Sequence, residues 1–320
     1  MDRLLIISEK WCDLNPNSTR STSHTTIYKT ALASGCFKEI QHIFLEDIYT
    51  ENPRRHIDDY LIDNQSKLDA DLIVVSYIGN HPCNPTSRSL SRFKGKKVFI
   101  WPDTGWDWLL DAMSRTNLCA CFHLSYDTYN TNWINERISP KRMYLLGTPQ
   151  DPELFYPDKD KDYLFMFSGT IYPSRTKYYE KLKEVSNLGM LRGFLHTGQR
   201  VDNITVEEYA KNLRKSYIVI NIPTSTNDTI TIKGRVFEAM ASNCTLLELK
   251  NNETSKMFRP EEHYMEYSDE NELVHKLTGL YVRNLQEIAT AGHEFYMKNY
   301  SSIPYWNKVI ELTKKPTMLW

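Results

Sequence analysis

The residues best able to grip an anion stand together at Thr231-Ile232-Lys233-Gly234-Arg235-Val236-Phe237-Glu238. Val236, Phe237 and Met240 have the spacing of a buried helix face, so Lys233 and Arg235 fall at the helix start. Cations there oppose the helix macrodipole unless an anion lies nearby. A diphosphate is such an anion, and a guanidinium can hold it through two parallel hydrogen bonds. Glu238, one turn further on, can accept from ribose hydroxyls. The plainer alternative is an exposed Arg235–Glu238 (i, i+3) pair, worth only about 0.2–0.5 kcal/mol.

A second segment repeats the theme. Phe167-Ser168-Gly169-Thr170-Ile171-Tyr172-Pro173-Ser174-Arg175 reads as a strand, a Gly-Thr turn and a helix beginning near Pro173. Glycine lets backbone approach an anion closely, and the helix supplies free N–H groups. Arg175 in the first turn is again a cation at the unfavourable end of a helix. Read alone, the segment serves equally as an ordinary strand–turn–helix junction with a surface arginine.

Candidates for handling an acceptor lie in the first half. Asp103 follows the strand-like Val98–Trp101 and could take a proton from a hydroxyl, although capping a helix that begins at Thr104 or Gly105 is the favoured role. His24, His81 and His123 also follow or end predicted strands, where a lone histidine is more often structural. The Ser-, Thr- and Asn-rich loop from Trp11 to Thr26 is long enough to shape a pocket. Arg88, Arg92, Lys94, Lys96 and Lys97 form a basic stretch around Phe93, which would offer a stacking ring to a nucleic acid. A surface loop that is basic by chance is the favoured reading.

These residues need elements to position them. Apolar runs at Leu4–Ile7, Ile40–Leu45, Leu72–Tyr77, Val98–Trp101, Leu118–Leu124 and Met143–Leu146 alternate with amphipathic stretches such as 103–115 and 127–137. A Pro-rich break at Gly147–Pro152, with Pro157 beyond it, precedes a second series: Tyr163–Ser168, Leu191–His196, Tyr217–Ile222, Thr245–Leu249 and His263–Tyr267. Helical patterns fill 172–188, 206–215, 235–242, 270–299 and 303–312. Alternating β and α units imply mostly parallel sheets. The expectation is an α/β protein of two Rossmann-like domains facing a cleft, 1–156 and 157–300, with residues 301–320 a helix returning to the first.

Composition narrows the function. With 39 basic and 40 acidic residues in 320, no global field draws in nucleic acid or an anionic membrane. The N-terminal apolar run is too short for a signal peptide, and no segment approaches a membrane span, so a cytoplasmic protein is expected. Cys12, Cys36, Cys83, Cys119, Cys121 and Cys244 lack C-x-x-C spacing and read as free thiols, with Cys119 and Cys121 inside a strand. A G-x-G-x-x-G after the first strand is absent, which argues against a dinucleotide enzyme.

The ordered series Gly169-Thr…Arg175, His196-Thr197-Gly198, Tyr209, Tyr217–Asn221, Arg235-Val-Phe-Glu238-Ala-Met-Ala, Glu261–Asp269, Glu272-Leu273 and Ala291-Gly292-His293 resembles the C-terminal half of GT-B glycosyltransferases. The subgroup it is most similar to is the spore-maturation-protein type with a group 1 glycosyltransferase domain. The resemblance spans roughly residues 162–300; the first half fits only in its alternation of elements. It implies a nucleoside-diphosphate sugar as co-substrate, with Glu238 on the ribose and Gly169, Thr170, Arg175, Lys233 and Arg235 near the diphosphate. Arg235 would also act in catalysis. Related retaining enzymes often carry a second glutamate eight residues earlier; here that position is Ile230, so retention of sugar stereochemistry does not follow.

The expected activity is metal-independent transfer of a sugar to a hydroxyl acceptor, with no other cofactor. Asp158-Lys-Asp160 lies in the linker and is a poor metal motif. The acceptor would be a small molecule, a glycan or a hydroxymethylated DNA base, and a non-catalytic nucleotide-sugar-binding relative is the remaining alternative.

Overall fold

The computed structural model describes residues 1–8, 23–45, 47–48, 56–76, 84–101, 113, 116, 120–125, 128–137, 143–189, 191–197, 204–224, 230–279 and 282–314. The chain divides into two compact units, one formed by Met1–Pro149 with the segment from Ser302, the other by Gln150–Ser301.

In the first unit β1 (Arg3–Ser8), β2 (Glu39–Phe44), β3 (Leu72–Ser76), β4 (Lys96–Trp101), β5 (Phe122–Ser125) and β6 (Met143–Leu145) form a six-stranded sheet ordered β2-β1-β3-β4-β5-β6. Every pairing is parallel. A parallel sheet is covered on both faces, which explains why Leu4, Leu5, Ile6 and Ile7 are all buried. Strand alternation sends Leu5 and Ile7 to one core and Leu4 and Ile6 to the other. The second core also takes Tyr305, Trp306, Val309 and Leu312 from the last helix, Ser302–Thr313, which packs on α1 (Ser23–Ser34).

The second unit repeats the plan. Its strands β7 (Tyr163–Ser168), β8 (Gly193–His196), β9 (Ser216–Asn221), β10 (Thr245–Leu249) and β11 (Met265–Tyr267) run parallel in the order β11-β10-β9-β7-β8. From β7 the chain first adds β8 on one side, then returns to add β9 on the other. The carboxyl ends of β7 and β9 therefore flank a topological switch point, where open α/β sheets bind ligands. Gly169 follows the first of these strands and Asn221 ends the second.

Several boundaries differ from the sequence reading. The helical pattern over 270–299 is two helices, Glu270–Gly279 and Val282–Asn299. The predicted strands at 118, 191 and 263 begin later, at Phe122, Gly193 and Met265. Cys121 therefore precedes its strand, and Cys119, like Cys12 and Cys83, lies outside the described residues; Cys36, Cys121 and Cys244 are free. Among the described residues no helix is long and apolar enough to cross a membrane.

Candidate functional site

Three helices of the second unit show what is unusual at its switch point. Helix Val206–Arg214 starts in the ordinary way: the Thr205 hydroxyl caps it, and Glu207 and Glu208 stand in its first turn. Helices Pro173–Asn187 and Gly234–Ala241 have neither a side-chain cap nor an acid in the first turn. The Arg175 and Val236 N–H groups turn back onto the carbonyls of Tyr172 and Lys233, so the N–H groups of Ser174, Gly234 and Arg235, with the partial positive charge, are left for another partner. Arginines join this positive end instead of carboxylates.

Gly169 brings the two arginines together. A Cβ on it would lie 3.3 and 3.6 Å from the Arg235 guanidinium and 3.5 Å from that of Arg175. Its φ of +149° also lies where side chains are disfavoured. Gly169→Ala is therefore expected to cost about 1 kcal/mol or more in stability and to crowd the arginines. Urea unfolding checks the first effect and nucleotide affinity the second.

The two arginines are not equivalent. Arg175 is 6% exposed and fully engaged by the unit itself. Its Nη1 donates to the Thr170 carbonyl at 3.0 Å and its Nε to the Thr224 hydroxyl at 3.4 Å, while Nη2 donates to the Thr224 carbonyl. It also lies over the Tyr172 ring at 4.9 Å. Arg175 thus ties the Gly169–Thr170 turn to the chain leaving β9, and its pKa is lowered, first by burial and then by Arg235. Arg235 has room for a ligand. Nη1 donates to Asn221 Oδ1 at 3.2 Å, and its buried Nε has no hydrogen-bond partner among the described residues. Burial acts to lower its pKa, but Tyr209, Glu238 and Glu248 outweigh it, so the guanidinium stays charged.

Glu238 faces elsewhere. Its Oε2 accepts from the Tyr209 hydroxyl at 2.5 Å, and the (i, i+3) pair with Arg235 considered from the sequence is not formed among the described residues. Arg235 Nη1 is instead taken by Asn221 and Glu238 Oε2 by Tyr209, whose pKa both residues influence. Burial raises the pKa of Glu238, while Tyr209 and Arg235 oppose the shift; Tyr209 itself is raised, chiefly by burial. Lys233 is the residue before the helix and reaches the Thr231 hydroxyl at 2.5 Å.

A row of polar side chains at the carboxyl ends of the strands underlies these groups. His196 is in register with Ser168, Asn221 with Glu248, and Glu248 with Glu266. Ser168 Oγ and His196 Nδ1 are 3.0 Å apart. Glu248 is completely buried; its Oε1 accepts from Asn251 at 3.2 Å and Thr254 at 3.0 Å, and burial above all pushes its pKa up to about 7. The sequence reading gave Glu248 no role, although a carboxylate inside Thr245-Leu-Leu-Glu-Leu is a signal by itself, because a buried charge is costly.

The acceptor candidates belong to the first unit. Asp103 and His81 lie outside the described residues, and so does the side chain of His24, whose backbone begins α1. His123 is corrected to a core residue of the first unit: it sits inside β5, is 0% exposed and accepts at Nδ1 from the Trp101 indole N–H at 3.0 Å. Phe93 is likewise no stacking ring. It is 2% exposed within the first core. Arg88, Arg92, Lys94 and Lys96 stand exposed, Arg88 paired with Asp59, whereas Lys97 is buried and donates to the Phe93 carbonyl.

Residues 175–309 match a protein family described as glycosyl transferase-like. Solved structures match nearly the whole chain. HepE of Anabaena in complex with UDP-glucose aligns with a TM-score of 0.62 at 9% identity, over 97% of this chain and 99% of that one. Sucrose-phosphate synthase of Thermosynechococcus elongatus gives 0.63 at 12%, over 98% and 99%. The β-glucosyltransferase of T4 phage gives 0.58 at 13%, over 98% and 100%. No curated protein matches the chain in sequence. The fold is that of the GT-B glycosyltransferases, and the second unit carries most of the glycosyl transferase-like segment.

Proposed function

We propose that this chain is a glycosyltransferase that moves a sugar from a nucleoside-diphosphate sugar to a hydroxyl acceptor. The observation that carries the reading is the convergence of Gly169, Arg235 and two uncapped helix starts at the switch point. On this reading the diphosphate rests on the N–H groups after Gly169 and at residues 234 and 235, against Arg235 and Lys233. Glu238 accepts from the ribose one turn along. Arg175 acts by holding the Gly169–Thr170 turn in place.

In the reaction the acceptor oxygen bonds to the anomeric carbon as the bond from that carbon to the diphosphate oxygen breaks. Charge builds on the leaving diphosphate, and fixed cations and helix dipoles stabilise it without reorganising. Metal-independent transfer and a cytoplasmic site of action belong to the same proposal, as does kinship with the spore-maturation-protein subgroup. A DNA acceptor is less favoured, because burial of Phe93 removes the ring that would stack on a base and burial of Lys97 takes one of the five cations from the surface.

A thermal-shift panel of UDP, GDP, ADP, CDP and dTDP tests the donor site; UDP comes first because HepE is seen with it. A nucleotide at 100 times its dissociation constant adds about 2.7 kcal/mol of stability. Stabilisation by one base, lost in Glu238→Ala, is the expected result; no shift with any nucleotide refutes the site. Binding without turnover across broad acceptors would mark a non-catalytic relative.

A further inference from the structure

Glu248 lies one strand away from the diphosphate-binding groups of the proposed donor site, on the same sheet face as Asn221. On β9, Val219 points into the core beneath helix Gly234–Ala241, and alternation turns Asn221 the same way; on β10, Leu246 and Glu248 follow the same rule. Asn221 and Glu248 are in register on neighbouring strands. Asn221 Oδ1 accepts from Arg235. That leaves the amide Nδ2, a donor, and Glu248 Oε2, an acceptor, as buried atoms with no hydrogen-bond partner among the described residues, on side chains that the register sets side by side. The nearby Asn221 amide favours the ionised form of Glu248. Asn221 thus stands between Arg235, which it accepts from, and Glu248, its register neighbour, which Asn251 and Thr254 anchor on the far side.

We propose that Glu248 is a positioning residue for the donor site: as a carboxylate it holds the Asn221 amide with its oxygen toward Arg235, and so keeps the Arg235 fork aimed at the diphosphate. The proposal rests on the donor-site reading above. The physical reason is that an ionised carboxylate can only accept, whereas a protonated carboxyl can also donate. With Glu248 ionised, the Asn221 N–H must face it and the amide oxygen must face the donor-only guanidinium. With Glu248 protonated, its O–H can donate to the amide oxygen, and the Arg235 contact competes for that oxygen.

The groups around Glu248 come from every neighbouring element. Arg235 stands on helix Gly234–Ala241, Arg175 on helix Pro173–Asn187, and Tyr264, Glu266 and Tyr267 in and before β11. On helix Val282–Asn299, His293 engages the Met240 carbonyl through Nδ1. Burial places the ionisation of Glu248 at about 7, against the help of Asn221, Thr254, Asn251 and Arg235. Because this folded pKa is raised, the contribution to stability is present at low pH and is lost as pH rises through about 7. Donor affinity has the opposite sign and grows as the carboxylate forms.

The test is calorimetric titration of wild type and Glu248→Gln with the sugar nucleotide of the base selected by the panel. Its diphosphate is a diester and stays ionised throughout, so the ligand adds no titration of its own. Wild-type affinity should fall as pH drops through about 7. At higher pH, Glu248→Gln should bind about tenfold more weakly, the loss of one charge-assisted hydrogen bond, with a flat pH profile and a melting temperature at or above wild type. Thr254→Val leaves the carboxylate in place but removes one donor from it, and should move the midpoint of the binding profile to higher pH. Equal or tighter binding by Glu248→Gln, or a midpoint unmoved in Thr254→Val, overturns the proposal. If wild type binds no sugar nucleotide, the donor-site reading falls and this inference falls with it; if wild type binds and the variants behave like it, only this inference falls.

Discussion

Arg235→Ala abolishes sugar transfer while the protein remains folded: that is the expected result for the guanidinium at the centre of the site. Arg235 donates to Asn221 and is held charged by Tyr209, Glu238 and Glu248, but its neighbour across Gly169 is another arginine whose pKa it lowers. Truncation removes the repulsion from Arg175 along with the favourable contacts to Asn221, Tyr209 and the two glutamates, so the net cost to folding should be about 1–3 kcal/mol. The loss to catalysis is larger. Removing one fixed donor from a developing anion typically lowers kcat by about 10²–10³-fold. Arg235→Lys should recover little, since a point charge cannot reproduce the planar fork. Sugar-nucleotide turnover with a broad acceptor panel, measured beside melting curves, checks both halves. Unchanged turnover would remove Arg235 from the chemistry; a collapsed melting curve would make it a structural residue.

The largest expected effect on stability lies in the first unit. Trp306 is fully buried, meets Phe37 edge-on at 5.3 Å and donates its indole N–H to the Thr30 hydroxyl at 3.2 Å. It is the anchor by which helix Ser302–Thr313 closes the core over α1 and β1. Trp306→Ala should cost about 3–5 kcal/mol, the usual penalty for emptying a large aromatic site. Thr30 adds little to that cost, because its hydroxyl also donates to the Ile27 carbonyl at 3.0 Å. The second unit has its own two cores. Denaturant unfolding should therefore show an early transition in the variant, with nucleotide affinity per folded molecule preserved. Simultaneous loss of nucleotide binding in the native range would show that the second unit depends on this helix.

Much of this was legible in the sequence because it depends on short-range patterns. Buried parallel strands are continuous apolar runs, and Leu4–Ile7 and Phe165–Phe167 announce themselves as such. A helix start with cations and no acid is also local, so Lys233, Arg235 and Glu238 could be singled out within one turn. Boundaries were less legible: a helical pattern continues in sequence from Glu270 to Asn299, yet the chain breaks it after Gly279.

What the tertiary structure decided is which polar group each of these residues meets. Arg175 and Arg235 carry the same charge at similar helix positions, but contacts to Thr170 and Thr224 engage the first, and only the second keeps an unpartnered buried nitrogen. Glu238 could have paired with Arg235 on its own helix; Tyr209, 29 residues away, takes it instead. Asn221 and Glu248 matter through register across two strands, and Phe93 and His123 proved to be core side chains. Periodicity reports which face of an element is apolar. Partnership between buried polar groups is set by where distant strand ends are brought together, and in a low-dielectric interior that choice decides which charges remain for a ligand.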